Sequence, residues 1–154
     1  MARSRKSRAR RTTRSTPAKR SVPATDNEAE RRLLALAREL AALGAEALPR
    51  AVDLLAGAYA PEAPLPRAVR HAWLAGRGDK TATLALAWAR EQVRLALEER
   101  LIRAPALGAA AADPATRAWL LLAAAESIAH EPPAAVADRL RALLEFTGQA
   151  PTPV

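Results

Sequence analysis

The stretch that most constrains this chain is Ala118 to Ala125, AWLLLAAA, which carries no polar side chain on any side. The segment around it is punctuated as a helical hairpin. Asp113-Pro114 makes a helix start: a carboxylate to cap the first N–H groups, then a proline where its missing N–H costs nothing. Glu131-Pro132-Pro133 ends that helix near His130, and Pro133 can open the next. Val136, Leu140, Leu143 and Leu144 then recur at helical spacing, and Gly148 supplies a left-handed stop. A surface helix shows one apolar stripe, so a helix that is apolar all round must be covered on two sides. The run is shorter than the roughly 20 residues that a bilayer demands. Two arrangements would cover it. One is the chain's own core on one side and a second copy on the other, meeting through Trp119, Leu120, Leu122, Leu140 and Leu144. The other is a central position inside a monomer.

The remainder of the chain asks for helices as well. Half of the 154 residues are hydrophobic, but alanine supplies many of them, against one Tyr, one Phe and three Trp. Alanine favours helix, and no alternating, β-branched pattern marks a strand. The expected fold class is all-α: a six-helix bundle over 26–148, between a disordered basic tail at 1–25 and a disordered end at 149–154. With no cysteine, disulfides, thiolate metal sites and cysteine nucleophiles are excluded. His71 and His130 are isolated in the sequence. No HExxH pattern, phosphate-cradling glycine loop or nucleophile elbow occurs. No cofactor or metal is called for, and there is no positive case for an enzyme.

The net charge of +8 is an average of two unlike parts. Arg3, Arg5, Lys6, Arg8, Arg10, Arg11, Arg14, Lys19 and Arg20 fall in the first 25 residues, which hold no acid. The rest keeps 15 of the 24 basic residues against all 16 acidic ones, a net charge of −1. The arm has no apolar anchor, so it cannot offset its own ordering entropy. Its nine cations suit nucleic-acid phosphates, giving salt-sensitive binding with little base discrimination. A solubilising arm without a partner is the bland alternative. A membrane surface fits poorly, since no apolar face accompanies the charge.

Between arm and hairpin, Thr25-Asp26-Asn27-Glu28 fits a capping box. It opens a first helix with Leu33, Leu36, Leu40 and Leu43 in one stripe, ended by Gly44. A second helix runs from Pro49 to about Tyr59, with Val52, Leu55 and Tyr59 inward. Pro66 can start a short third helix after a proline-stiffened loop, with Val69 and Trp73 on one face. Asp79 caps the longest helix, to about Arg103. Leu84, Trp88, Leu95 and Ile102 fall on one side of it, and Leu86, Val93, Leu97 and Leu101 nearly opposite. That predicts a central helix between two neighbours. Arg94 and Glu98 stand at ion-pair spacing. Residues 104–112 form an Ala/Gly/Pro connector to the hairpin.

This order of elements, with Trp88 to Arg103 (WAREQVRLALEERLIR) and Arg117 to Leu144 (RAWLLLAAAESIAHEPPAAVADRLRALL), resembles the C-terminal ligand-binding and dimerisation domain of TetR-family transcriptional regulators. The resemblance covers about Glu28 to Gly148. It implies a bacterial, cytoplasmic homodimer, nucleoid-associated, in which the last two helices pair with their symmetry mates. It also implies an effector cavity among the earlier helices. Tyr59, Trp73, Trp88 and Gln92 are its candidate lining, since aromatic walls with one amide suit a small apolar effector; ordinary core packing is the other reading of each. Glu126 and His130, one turn apart, are a candidate polar pair or plain surface residues. The family's DNA-reading helix-turn-helix has no counterpart in residues 1–27, where the basic arm stands instead, so sequence-specific operator binding is not implied. Two further functions fit the same residues: a non-specific, nucleoid-associated DNA binder, and a helical adaptor for protein partners with a solubilising tail.

Overall fold

The computed structural model describes residues 26–44, 48–103 and 113–146, and of these the side chains of residues 26, 27, 144 and 146 are left aside. Six helices make up the order: α1 Asp26–Ala42, α2 Leu48–Ala58, α3 Pro64–Ala75, α4 Lys80–Arg103, α5 Pro114–Ile128 and α6 Pro133–Phe146. No strand occurs among the described residues. The expected all-α fold with six helices is therefore what the described residues adopt. The basic arm, Thr25 of the expected capping box, the 104–112 connector and the expected stop at Gly148 lie outside the described residues.

α1 lies mainly along α4 and α3, and α5 packs along the other flank of α4. α2 and α6 close the opposite side against α5. Where helices meet, Ala29, Ala51, Ala89, Ala118 and Ala125 are fully buried, small enough to bring backbones close. Leu33, Leu40, Leu55, Leu97, Leu121 and Leu122 fill the space between them. The leucine stripe expected on α1 is the face that packs, with Leu33, Leu36 and Leu40 buried and Leu43 partly so. On its outer side Arg32 and Glu28 pair one turn apart at 2.6 Å.

The helix starts follow the sequence punctuation. Asp79 Oδ1 accepts from the N–H groups of Thr81 and Ala82 at 2.9 and 3.1 Å and so caps α4. Asp113 caps α5 by accepting from Thr116 N at 3.1 Å and Thr116 Oγ1 at 2.5 Å. The hydrogen bonds from Thr116 hold the Asp113 carboxyl below the usual carboxylate range. α3 starts at Pro64, two residues before the expected Pro66. A helix leaves its first N–H groups without partners, so both prolines fit its opening turn. Between α3 and α4, Gly78 takes φ +88°, a left-handed value that favours glycine.

Two expectations need correction. α4 is not covered on both sides. Leu86, Val93, Leu97 and Leu101 are buried, but Leu84, Trp88, Leu95 and Ile102 remain 71, 52, 43 and 63% exposed. The reason is that α1 and α5 both flank the inner side of α4, and no helix among the described residues crosses the outer one. On α5, Ala118, Leu121, Leu122 and Ala125 are buried in the chain's own core, whereas Trp119 points outward at 52% exposure. Leu122 is wholly buried by its own chain and so cannot belong to a two-fold contact.

Arg100, 4% exposed, reaches from α4 to the end of α1, where its guanidinium donates to the carbonyl of Leu43. A cation there meets carbonyls that the helix itself leaves unbonded and the negative end of its dipole. Arg94 is clamped on its own helix by Glu91 and Glu98, each at 2.7 Å. The expected Arg94–Glu98 pair thus forms, with Glu91 as a second partner. No helix among the described residues is long and apolar enough to cross a membrane.

Candidate ligand-binding cleft

A cleft of about 640 Å3 opens where α3 passes over α4 and the end of α5. α3 supplies one wall through Val69, Trp73 and Leu74, α4 another through Leu86 and Ala87, and Leu33 of α1 lies between them. The walls exist because α3 is short and amphipathic. Its Leu65 and Ala72 are buried, while Trp73 and Leu74, next in sequence, must turn away from that face and stay 55 and 57% exposed.

The polar groups of the cleft cluster at one end. Arg90 of α4 donates from Nε to Glu126 Oε1 at 2.6 Å and from Nη2 to Glu126 Oε2 at 2.7 Å, a two-pronged pair between α4 and α5. Both side chains are about one-third exposed, at 35 and 31%. Donating to the Glu126 carboxylate raises the pKa of Arg90, keeping it charged. Tyr59, just past the end of α2, is 3% exposed. Burial above all, and then the Glu126 carboxylate, push its hydroxyl well above the usual phenol value. It is thus held as a neutral hydroxyl. Arg70 and His130 complete the rim.

The chemistry on offer is recognition. Arginine has five N–H donors and Glu126 engages two of them; the carboxylate keeps lone pairs to spare. A ligand with an apolar body and an uncharged polar group meets apolar walls and a ready set of donors and acceptors, without breaking the ion pair. An anion would have to compete with Glu126 for Arg90. Among the described residues no cluster of three His, Asp or Glu side chains is placed to hold a metal ion.

Of the four residues expected to line one pocket, the fold unites two. Tyr59 and Trp73 face this cleft, but Trp88 and Gln92 lie in a separate groove between α1 and α4. They are separated because Trp88 falls on the side of α4 away from Leu86. Glu126 and His130 both border the cleft, but the Glu126 carboxylate is bound by Arg90 rather than by the histidine. His71 is exposed, as expected of a surface residue. Nothing in the sequence marks Arg90 as a cleft residue: it is one of four arginines on α4, and its partner is 36 positions away.

The expected dimer residues are dispersed too. Trp119 is exposed and Leu120 partly so, Leu140 rests partly buried against the core, and Leu122 is interior. The side chain of Leu144 lies outside the described residues, as do all nine arm cations. The chain matches no family model, no curated protein and no solved structure.

Proposed function

We propose that this chain is a homodimeric regulatory module of the TetR-like kind, whose helical body senses a small apolar molecule and whose basic arm holds nucleic-acid phosphates. The observation that carries the reading is the cleft between α3, α4 and α5. Its volume of about 640 Å3 falls in the range of sites for small organic molecules, about 300–1,000 Å3. Its make-up, mainly apolar with Tyr59, Arg90 and Glu126 at one end, is what such sites use to bind and orient a ligand. The order of the six helices supports the same reading. The nine cations at positions 3–20 supply affinity for phosphates.

A screen of uncharged apolar compounds by thermal shift tests the sensing half, with Ala87→Trp as the filled-cleft control, since Ala87 is exposed on the wall. Compounds that raise Tm in the parent chain are expected to lose that effect in Ala87→Trp while its unliganded Tm barely moves. Compounds that stabilise both equally would refute the cleft. Duplex DNA binding by the full chain and by one lacking residues 1–25 tests the other half. The full chain should bind at low salt and weaken by a factor set by a slope of about −0.9 per phosphate contacted. No binding even at low salt would refute the nucleic-acid role and favour a helical adaptor.

A further inference from the structure

We propose that the outer face of α4 is where two copies of this chain meet across a two-fold axis. The inference rests on the homodimer reading above and replaces the α5–α6 contact that the resemblance implied. Leu84, Trp88, Leu95 and Ile102 stand 43 to 71% exposed along one line of α4. The line runs about 27 Å at 1.5 Å per residue. Trp88, Leu95 and Ile102 follow one another at intervals of seven, the repeat that keeps a seam facing a partner helix. Beside the seam lies a groove of about 520 Å3, floored by Leu34 and Ala37 of α1 and by Ala96, which can receive a large side chain from the facing helix.

The area is of the right size. At the roughly 150–250 Å2 of a large apolar side chain, the four expose on the order of 450 Å2. A standard interface buries about 800 Å2 per partner, a little over half of it apolar, hence also about 450 Å2. A monomer that showed this much in one stripe would stand within the range of patches that are usually functional.

Area and spacing together select a second copy of the chain: a two-fold contact uses the same patch twice, so two such stripes supply the apolar area of a standard interface from both sides. The glutamates of α4 are paired within the chain, Glu91 and Glu98 with Arg94 and Glu99 with Arg103, so covering the stripe leaves none of them without a partner. Trp88 and Gln92, midway along α4, then lie beside the axis.

Sedimentation equilibrium on the full chain tests this, with Leu95→Glu and Trp119→Glu as a pair. The parent chain is expected to be a dimer. Leu95→Glu should weaken it by about thirtyfold or more, as loss of a central anchor does, and Trp119→Glu should leave it intact. The second measurement does not depend on how Leu95→Glu folds. The chain has no cysteine, so Gln92→Cys offers a single thiol that a short bis-maleimide should join into a covalent dimer, whereas Ser127→Cys on α5 should not be joined. A parent dimer that ignores Leu95→Glu, dissociates on Trp119→Glu and resists cross-linking at Gln92→Cys overturns the α4 face and leaves the homodimer reading standing. A parent chain that is monomeric at tens of micromolar overturns both.

Discussion

Replacing Leu122 by alanine tests the assignment of α5 most sharply, because the neighbouring Trp119 provides the contrast. Leu122 is fully enclosed by its own chain, and Trp119, three residues earlier, is 52% exposed. Leu122→Ala removes buried methylene-sized groups at about 0.8 kcal/mol each, or about 2 kcal/mol in transfer. A cavity term adds to this, since leucine-to-alanine changes in packed cores cost about 2.7–5 kcal/mol. Ala118 and Ala125, one turn to either side of Leu122 on α5, are fully buried and too short to lean into the space, which places the expected loss in the upper half of that range. With a urea slope of about 2 kcal/mol per molar, the midpoint should fall by roughly 2 M. Trp119→Ala should cost under about 1 kcal/mol. Urea titrations followed by far-ultraviolet circular dichroism, run at protein concentrations a hundredfold apart, are the assay. The Leu122 loss should be the same at both concentrations, because the chain itself supplies the burial. A loss below about 1 kcal/mol, or one that grows with protein concentration, would show that a partner buries Leu122 and would refute the packing described for α5.

The chain has a single tyrosine, so spectrophotometric titration reads Tyr59 alone: phenolate absorbance should appear well above pH 10 in the folded protein and near 10 in urea. Since the folded value is the higher one, stability should hold below about pH 10 and fall as pH rises beyond the unfolded value; a phenolate forming near pH 10 in both states would exclude the buried placement. Asp113→Ala should lower Tm at neutral pH. Because the folded Asp113 carboxyl ionises below its ordinary value, the stability it contributes is present above that value and lost as pH falls through the lowered one. The Tm gap to the parent should therefore close in acid, and a gap constant with pH would contradict the cap. Gly78→Ala should cost roughly 1–2 kcal/mol for the left-handed backbone at φ +88°, read as a lower urea midpoint; no loss would mean that the turn has another conformation. A double-mutant cycle of Arg90→Met and Glu126→Gln should show coupling of about 1 kcal/mol, modest because both groups are about one-third exposed. Coupling near zero would place the two side chains apart.

Local physics made much of this fold legible in the chain itself. Asp79 and Asp113 could be read as caps because a carboxylate bonds N–H groups two or three residues ahead, a contact set by sequence separation alone. The prolines at 66, 114 and 133 and the leucine period of α1 likewise act within one or two turns, so helix number and order followed from the sequence, with the start of α3 two residues early at Pro64. The separation of a cationic arm from a nearly neutral body was equally legible, since charge counts need no coordinates. Which apolar face is interior was a different matter. Leu84 and Leu86 are the same residue type two positions apart on α4, one 71% exposed and the other 6%. Nothing local tells them apart: the difference is where α1 and α5 lie. The Arg90–Glu126 pair, the division of Trp73 and Trp88 between two grooves and the reach of Arg100 to Leu43 depend equally on helices distant in sequence. Periodicity states that a side chain shares a face with others. Only the packing of the helices decides whether that face meets the core, a ligand or water, because burial is a property of the neighbours and not of the residue.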